Sequence, residues 1–332
     1  MTTETLTITR RGACVFAAAS LIPSAWAMAQ STLPAEFPKR PMTLISPLAP
    51  GGAVDVLARL LMEAYQARSG HAVTVENRTG GAGNIGIDAV RRASADGTTL
   101  LVVPAGNLTI NPTLIANLSF DVERDFAPIT ILGTAANLFV VGPSLGIKTI
   151  PELIAKARQT TMTYGTPGIG SQLHLAMELF KQRTGVEITH VPYRGMPPAL
   201  ADLLGGHIDI LVSNLPVVLP VIKDSKVIPL ALTTAERSPL APDIPTLAEA
   251  GVPGIDVTSW YGLLAPRATP KPVIDAIFAV TSDILASREV QQKLEAQGLS
   301  VSIEPPEVFA DRIRRETATW RELIRQRNIT AN

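Results

Sequence analysis

The sequence predicts an α/β fold arranged in two domains. Short apolar segments typical of strands alternate with segments whose apolar residues recur at helical spacing, and this alternation predicts mainly parallel sheets covered by helices. The chain has 332 residues, which is too many for one ordinary core and enough for two. Hydrophobic residues make up 46% of the chain and charged residues only 17%, so extensive disorder is excluded.

The first 29 residues have the pattern of a secretion signal. Arginines at positions 10–11 precede an apolar stretch, and Ala27-Met-Ala29 supplies a small-residue cleavage site. Pro23 and this ending argue against a membrane anchor. We expect residues 1–29 to be removed on export to the periplasm, by general secretion or, given the paired arginines, by the twin-arginine route. Removal takes away Cys14, the only cysteine, which excludes a disulfide, a thiolate-bound zinc ion and a cysteine nucleophile.

The first α/β series follows this segment. The pattern predicts strands at Met42–Ser46, Val73–Val75 and Thr98–Val103, and helices at Val54–Tyr65 and Ile87–Ala93. A loop rich in glycine and proline joins the first strand to the first helix. Strands and helices in this order indicate one α/β domain.

A second series starts at a strand predicted for Asn137–Val141. Its further elements are strands at Met162–Tyr164, Ile188–Val191, Ile208–Val212 and Pro229–Leu232, and helices at Pro151–Arg158 and Gln172–Arg183. Residues 236–257 are rich in proline and glycine and are predicted to form a long surface loop. Two helices, at roughly Val273–Gln297 and Glu307–Arg327, close the chain.

Residues 81–86 read GAGNIG and match the dinucleotide-binding pattern G-x-G-x-x-G. In dinucleotide-binding folds these glycines lie in the first turn between strand and helix, and an acidic residue about twenty positions later binds the ribose. Here the motif follows the second strand, and twenty residues after Gly81 stands Leu101, inside a predicted strand. We interpret the motif as a turn that lets a helix start close to the sheet, and we expect no cofactor.

Two strand–loop–helix units have the features of anion-binding loops. They are Pro47–Asp55 and Thr166–His174, one in each predicted domain. A helix N-terminus presents unpaired backbone N–H groups and a partial positive charge. Because sites in α/β sheets lie at the carboxyl ends of strands, the two loops are expected to face each other across a cleft and to hold an anion from both sides.

The candidate ligand contacts come from these loops and from polar residues near them. Loop glycines let backbone amides approach an anion, and asparagine or threonine side chains add uncharged polar contacts. Leu48 and Ile169 predict a partly apolar pocket, Arg194 is a candidate partner for a distal carboxylate, and Asp55 is expected to cap the first helix. The expected ligand contacts are Leu48, Pro50, Gly51, Gly52, Asn84, Gly106, Asn107, Asn137, Thr166, Gly168, Ile169, Gly170, Ser171, Arg194 and Asn214.

Other chemistries have less support in the residues. Ser171 and His174 stand three residues apart on one helical face, which leaves a serine hydrolase open, but Ser171 does not lie in a G-x-S-x-G motif. His71, His190 and His207 lack the spacing of a zinc site, so no metal is expected. The chain has 29 basic and 29 acidic residues and no run of Lys and Arg, which excludes nucleic acid as a partner.

Taken together, the motifs resemble the Bug-type periplasmic receptors, the solute-binding components of tripartite tricarboxylate transporters. Pro47–Asp55 is similar to the family's P-x-x-P-G-G-x-x-D loop, and Glu76–Gly86 to its ENRxGxGGNIG segment, with Gly81-Ala82 departing from the usual order. The likeness extends over nearly the whole mature chain. The further matching segments are Asp96–Leu100, Ile110–Pro112, Asp125–Pro128, Tyr164–His174, His190–Gly195, Asn214–Pro216 and Arg237–Gly251.

The resemblance implies a two-lobed periplasmic binding protein of the type II clamshell class, with two crossover strands at the hinge. Lobe 1 would comprise residues 36–136 plus 262–332 and lobe 2 residues 137–261, with crossovers near Asn137–Val141 and Trp260–Leu264.

The implied function is non-enzymatic capture of a small carboxylate and its delivery to a membrane permease of the tripartite tricarboxylate transporter type. The ligand would be a di- or tricarboxylate, an acidic amino acid or an aromatic acid, bound largely by loop amides and waters. We expect a monomer without cofactor. A secreted serine hydrolase using Ser171 and His174, and a sensor that docks to a membrane kinase, remain alternatives.

Overall fold

Two mixed sheets organise the part of the chain that this computed structural model describes, namely Thr2, residues 33–193 and residues 195–330. The predicted signal segment, apart from Thr2, and the candidate contact Arg194 lie outside the described residues. The strands are β1 Met42–Ser46, β2 Val73–Asn77, β3 Thr99–Pro104, β4 Phe126–Ala135, β5 Asn137–Val141, β6 Thr163–Thr166, β7 Thr189–Pro192, β8 Ile210–Asn214, β9 Ile228–Leu232, β10 Ser259–Pro266 and β11 Ser300–Val301.

Helices connect most of these strands and cover both sheets. They are α1 Ala53–Ser69, α2 Asn84–Arg91, α3 Ala105–Thr109, α4 Asn111–Leu114, α5 Val122–Asp125, α6 Ile150–Ala157, α7 Gln172–Thr184, α8 Met196–Leu204, α9 Leu215–Lys223, α10 Lys271–Ala286, α11 Arg288–Ala296 and α12 Pro306–Gln326. Within the described residues, none of these helices combines the length and the apolar character needed to cross a membrane.

The two sheets have the same pattern of strand directions. The first has the strand order β11-β4-β10-β3-β1-β2, and the second has the order β7-β6-β8-β5-β9. β1 is parallel to β2 and β3, and β6 is parallel to β7 and β8. By contrast, β10 is antiparallel to β3 and β4, and β5 is antiparallel to β8 and β9. In each sheet, therefore, the strand that arrives from the other sheet runs against its neighbours.

The chain crosses between the sheets twice. It leaves the first sheet between β4 and β5, at Ala136, and returns between β9 and β10. β10 pairs with β4 from its first residue, Ser259, which lies opposite Ala135. Residues 259–261 therefore belong to the first sheet, and the predicted boundary between 261 and 262 falls inside β10. The predicted second crossover at Trp260–Leu264 is too late for the same reason, because the crossing precedes Ser259.

Each sheet is packed between two apolar layers. In the first sheet, one layer is formed by α1 and α10 through residues such as Leu57 and Ile277, and the opposite layer includes Ile87 of α2. In the second sheet, α6 and α7 cover one face and α8 and α9 the other. Each half of the fold thus has its own hydrophobic core.

The last helix, α12, takes part in the cores of both halves. Phe309 and Ile313 near its start pack with Trp260 in the core of the first sheet. Trp320 and Leu323 near its end pack in the core of the second sheet. Because α12 is one continuous helix of 21 residues with side chains in both cores, it connects the two halves of the fold.

The predicted helix at Val273–Gln297 is in fact two helices. α10 ends at Ala286, and Ser287 has an extended backbone (φ −68°, ψ 137°). The Ser287 hydroxyl accepts a hydrogen bond from the backbone N–H of Val290 and so caps α11. Hydrophobic spacing continued through this break, which explains why the sequence predicted a single helix.

The glycine-rich segment before α2 has the role that the sequence predicted. Gly81–Gly83 forms a short 3-10 turn, and Gly83 has a φ of 93°, which favours glycine. A Cβ on Gly86 would lie 2.9 Å from the Cα of Pro47 and 2.7 Å from the carbonyl oxygen of Arg78. The glycines therefore let α2 start against the neighbouring loop, which confirms the interpretation of a close-packed turn.

Candidate functional site

A cavity of about 410 Å³ lies between the two sheets, at the carboxyl ends of β1, β3, β6 and β8. Four helices begin at its wall, because Gly52, Pro104, Ser171 and Asn214 directly precede α1, α3, α7 and α9. The lining residues are Leu48, Ala49, Gly52, Ala53, Val54, Ala82, Pro104, Gly106, Asn107, Asn111, Pro167, Gly168, Ile169, Gly170, Ser171, Gln172, Leu173, Asn214, Ser259, Trp260 and Tyr261.

Asp55 holds the loop that precedes α1. Its carboxylate accepts hydrogen bonds from the backbone N–H of Gly51 at 3.0 Å, from Arg59 at 2.9 Å and from Asn77 at 3.0 Å. Burial by itself would raise the pKa of Asp55, but these hydrogen bonds outweigh it and lower the pKa below its ordinary value. The ionised side chain thus accepts an N–H from the loop, as predicted, but the residue that caps α1 is Gly52 and not Asp55.

The start of α1 leaves backbone donors at the cavity. The N–H groups of Gly52, Ala53 and Val54 have no acceptor among the residues that the structure describes, and all three residues line the cavity. No side chain caps this end of the helix. Unpaired N–H groups and the helix dipole make this wall attractive to an anion.

The loop before α7 satisfies part of its own backbone. Ser171 accepts a hydrogen bond from the N–H of His174 at 3.1 Å and donates to the carbonyl of Gly168 at 2.9 Å. The N–H of Gly170 donates to Nδ1 of His174 at 3.2 Å. The amides of Gly170 and His174 are therefore committed within the loop.

Three other amides of this loop are left for a ligand. The N–H groups of Ile169, Gln172 and Leu173 have no acceptor in the described part of the chain, and these residues line the cavity. No aspartate, glutamate, lysine, arginine or histidine is among the described lining residues. The donors that the described lining offers are therefore mainly backbone N–H groups, at the starts of α1 and α7.

Three stacked rings pack against one another next to the loop that precedes α7. The His174 and His190 rings lie 4.0 Å apart at 13°, and His190 stacks on Tyr164 at 4.8 Å. Burial lowers the pKa of His174 to about 4 and that of His190 to about 3, so both rings are neutral near neutral pH. A neutral His174 ring can accept the N–H of Gly170, and Nε2 of His190 lies 2.7 Å from the hydroxyl of Thr166.

The geometry around Ser171 does not favour a hydrolase. The hydroxyl of Ser171 bonds to the carbonyl of Gly168 and to the backbone N–H of His174, not to the imidazole ring. Nδ1 of that ring already accepts from Gly170. Nucleophilic catalysis requires the base to lie within hydrogen-bond reach of the hydroxyl, and Ser171 instead serves as the helix cap.

Apolar residues form much of the remaining wall of the cavity. Trp260 and Tyr261 line it at the start of β10, and Leu48 and Ile169 line it with 38% of their surfaces exposed. The indole N–H of Trp260 donates to Glu316 at 2.9 Å, which fixes the ring. The cavity thus combines amide donors with surface suited to a hydrocarbon body.

A polar network joins the cavity to the crossings between the sheets. Oδ1 of Asn137 accepts hydrogen bonds from Nδ2 of Asn214 at 2.7 Å and from the hydroxyl of Ser259 at 2.9 Å. Nδ2 of Asn137 donates to the carbonyl of Val257 at 3.0 Å. Asn214 and Ser259 line the cavity, whereas Asn137 is fully buried behind them.

Nine of the predicted contact residues are brought together at the cavity, and their contact with a ligand stays a prediction. The loops and the first turns of the helices place them there, as the strand–loop–helix pattern predicted. These residues are Leu48, Gly52, Gly106, Asn107, Gly168, Ile169, Gly170, Ser171 and Asn214.

Two predicted loop contacts lie outside the lining. Pro50 is on the exposed outer part of its loop, and the N–H of Gly51 is turned to Asp55. Arg194, the predicted partner of a distal carboxylate, lies outside the described residues. The predicted approach of the Gly51 amide to a ligand is therefore corrected, because that amide donates to the carboxylate of Asp55.

Three predicted polar contacts also lie behind the wall. Thr166 is fully buried, with its hydroxyl beside His190, and Asn137 is fully buried at the crossing. Asn84 begins α2, where its Oδ1 is buried without a partner among the described residues. None of the three side chains lines the cavity, and those of Asn137 and Thr166 bond to neighbouring structure instead.

The sequence analysis missed part of the lining. Gln172 and Leu173 follow the capping Ser171, so the rule that the first helical residues leave their amides unpaired would have found them. Ser259, Trp260 and Tyr261 reach the cavity through pairing between distant strands, which leaves no local signal. The other missed lining residues are Ala49, Ala53, Val54, Ala82, Pro104, Asn111 and Pro167.

Known proteins share this architecture. A family model described as "Tripartite tricarboxylate transporter family receptor" matches residues 57–329. Protein BugT of Bordetella pertussis is 34% identical over 293 residues, which span 87% of this chain and 90% of BugT.

Two solved structures extend the comparison. The R. palustris protein solved with adipate is 35% identical, with a TM-score of 0.79 over 88% of this chain and 99% of that protein. MatC from Rhodopseudomonas palustris, solved with bound malate, is 30% identical, with a TM-score of 0.75 over 87% of this chain and all of MatC. These matches confirm the predicted two-lobed clamshell fold with two crossover strands.

Proposed function

Because the chain belongs to the tripartite tricarboxylate transporter receptor family, whose members are periplasmic solute-binding receptors and not enzymes, we propose that it captures a small organic carboxylate in the cavity between its sheets. The observation that carries this proposal is the pair of opposed walls with unpaired amides. Val54 of α1 contributes to one wall and Gln172 of α7 to the other. Closing of the lobes would bring both sets of donors onto one ligand.

Backbone amides are sufficient for useful affinity. A hydrogen bond to a charged group contributes roughly 1.5–3 kcal/mol, and a micromolar site requires about 8 kcal/mol. Four or five such bonds offset this requirement and part of the cost of ordering the lobes. The described lining offers at least that number, at Gly52, Ala53, Val54, Ile169, Gln172 and Leu173. A fixed salt bridge is therefore not needed.

The lining also suggests the kind of acid. Leu48, Ile169, Leu173, Trp260 and Tyr261 make much of the cavity apolar. We infer a carboxylate with a hydrocarbon body, such as a medium-chain dicarboxylate or an aromatic acid, as the preferred ligand. The similar R. palustris protein was solved with adipate, which fits this class.

A thermal-shift screen tests the proposal. Protein freed of endogenous ligand is heated with dicarboxylates, tricarboxylates, acidic amino acids and aromatic acids, each paired with its neutral amide. We expect at least one acid to raise the melting temperature and its amide to have no effect, because binding to the folded state alone stabilises it. If no acid changes the melting temperature, or if acids and amides act alike, carboxylate capture is contradicted.

We further propose that the mature protein starts after cleavage near Ala29, acts as a monomer in the periplasm and delivers its ligand to a permease of the tripartite tricarboxylate transporter type. Co-purification with the membrane permease, compared with and without ligand, tests delivery. Retention that depends on ligand is expected. Capture of a membrane kinase instead of the permease would support the sensor alternative.

A further inference from the structure

We propose that Asn137 is a positioning residue that holds two cavity-lining side chains, Asn214 and Ser259, against the return crossing between the sheets. This inference rests on the proposed function, because it concerns the same cavity. Asn137 follows the first crossing at Ala136, and Val257 and Ser259 flank the second. One buried amide therefore touches both connections between the halves.

The hydrogen-bond partners fix the direction of the Asn137 amide. The carbonyl of Val257 can only accept, so it must face Nδ2 of Asn137, and the distance is 3.0 Å. Oδ1 then points to the donors Nδ2 of Asn214 and the hydroxyl of Ser259. The same logic turns Nδ2 of Asn214 inward and leaves its Oδ1 without a partner among the described residues.

Backbone pairing reinforces this arrangement. Asn137 lies opposite Asn214 in the register of β5 and β8, and its carbonyl accepts from the N–H of Thr233 at 2.8 Å. The N–H of Val257 in turn donates to the carbonyl of Thr233 at 2.8 Å. The cavity-lining side chains of Asn214 and Ser259 and the return crossing at Val257 are thus parts of one network. A ligand that displaces Asn214 or Ser259 would therefore also change the hydrogen bond between Asn137 and the carbonyl of Val257.

The test compares adipate affinity and hydrogen exchange in wild type, Asn137→Ser, Ser259→Ala and the double variant. Asn137→Ser shortens the side chain without adding a charge that would itself repel a carboxylate. Thr281→Val is the matched control, since Thr281 is equally buried in a hydrogen bond with Tyr65 but lies in the core of the first sheet. If the serine variant does not fold, Asn137→Leu replaces it in the same measurements.

We expect Asn137→Ser to weaken adipate binding about tenfold, which corresponds to one hydrogen bond of ordinary strength. Because Asn137 acts through Ser259, the double variant should lose little more than the more affected single variant. Exchange of the backbone amides at residues 257–260 should rise in the ligand-free variant. Thr281→Val should bind adipate as wild type does, even where its melting temperature falls.

Unchanged affinity in Asn137→Ser, or fully additive losses in the double variant, would overturn the positioning role. Faster hydrogen exchange without weaker adipate binding would show that Asn137 contributes only to the stability of the fold, and it would also overturn the positioning role. If wild type itself does not bind adipate, the proposed function is contradicted for that acid. The exchange comparison would then still decide whether Asn137 holds the crossing, because it needs no ligand.

Discussion

His174 shapes the cavity as a neutral hydrogen-bond acceptor. Its ring is buried, stacks on His190 and receives the N–H of Gly170. A protonated ring would have no lone pair for that N–H, so the charge state of His174 and the shape of the loop depend on each other. The residue that the sequence analysis weighed as a catalytic base instead supports the loop before α7, which lines the cavity.

The stability of the protein should therefore decrease as the pH is lowered from about 6.5 to about 4. The pKa of His174 is about 4 in the folded protein and 6.5 as its ordinary value, so between these pH values the unfolded chain binds a proton that the folded protein excludes. The free energy of unfolding should drop by about 2–3 kcal/mol for this group between pH 7 and pH 4.5. Urea denaturation at both pH values measures this loss.

His174→Asn should remove the part of this pH dependence that His174 causes, because its side-chain oxygen can accept the N–H of Gly170 at both pH values. The part caused by His190, whose pKa burial also lowers, should remain. His207→Gln is the control, since the His207 side chain is 73% exposed, and it should keep the wild-type dependence. An identical loss of stability with acid in wild type and His174→Asn would show that His174 is not excluded from protonation in the fold.

Gly52 allows a test of the anion site at a single residue. Its backbone is extended (φ −88°, ψ 174°), and a Cβ there would meet no atom within 4 Å. Gly52→Asp should keep or raise stability, because aspartate is a good helix cap, yet weaken carboxylate binding at least about tenfold by placing like charges together. Gly52→Asn has the same shape without the charge. Calorimetry with adipate should find weaker binding in Gly52→Asp than in Gly52→Asn, and equal affinities of these two variants would argue against an anion site here.

At the scale of elements, α12 joins the two halves of the fold, because it packs in the cores of both. Its first half packs with Trp260, its second half packs on the second sheet, and its C-cap residue Arg327 pairs with Glu178 and Glu187 at 3.0 Å each. Glu178 is only 5% exposed and also bonds to other groups of its own half. The end of α12 is therefore fastened to α7, the helix whose N-terminus forms one wall of the cavity.

Arg327→Gln should lower the free energy of unfolding by about 1–2 kcal/mol, because it leaves a buried carboxylate with one charged partner fewer. Arg325→Gln is the matched control two positions earlier, where the pair with Glu322 is exposed on both sides, and it should cause no measurable change. Urea denaturation compares the two variants. Equal effects would mean that Arg327 is only a surface charge.

At the scale of the whole molecule, the sequence predicted elements better than their connections. β1 and β5 have the predicted bounds, and the loops before α1 and α7 both line the cavity, as the strand–loop–helix patterns predicted. Local spacing reports local structure, so the capping break at Ser287 and the entry of β10 at Ser259 were missed. Trp260 reaches the cavity through pairing between residues more than a hundred positions apart, which no local pattern records.

Whether backbone amides on both walls bind the carboxylate can be measured most directly by NMR. Amide resonances of the ligand-free protein are followed while adipate is added. The amide protons of Val54 and Gln172, which lack an acceptor among the described residues, should move downfield as charge-assisted hydrogen bonds form. The amide of Gly170, already bonded to His174, should shift less. Adipate binding that leaves the resonances of Val54 and Gln172 unchanged would contradict the account.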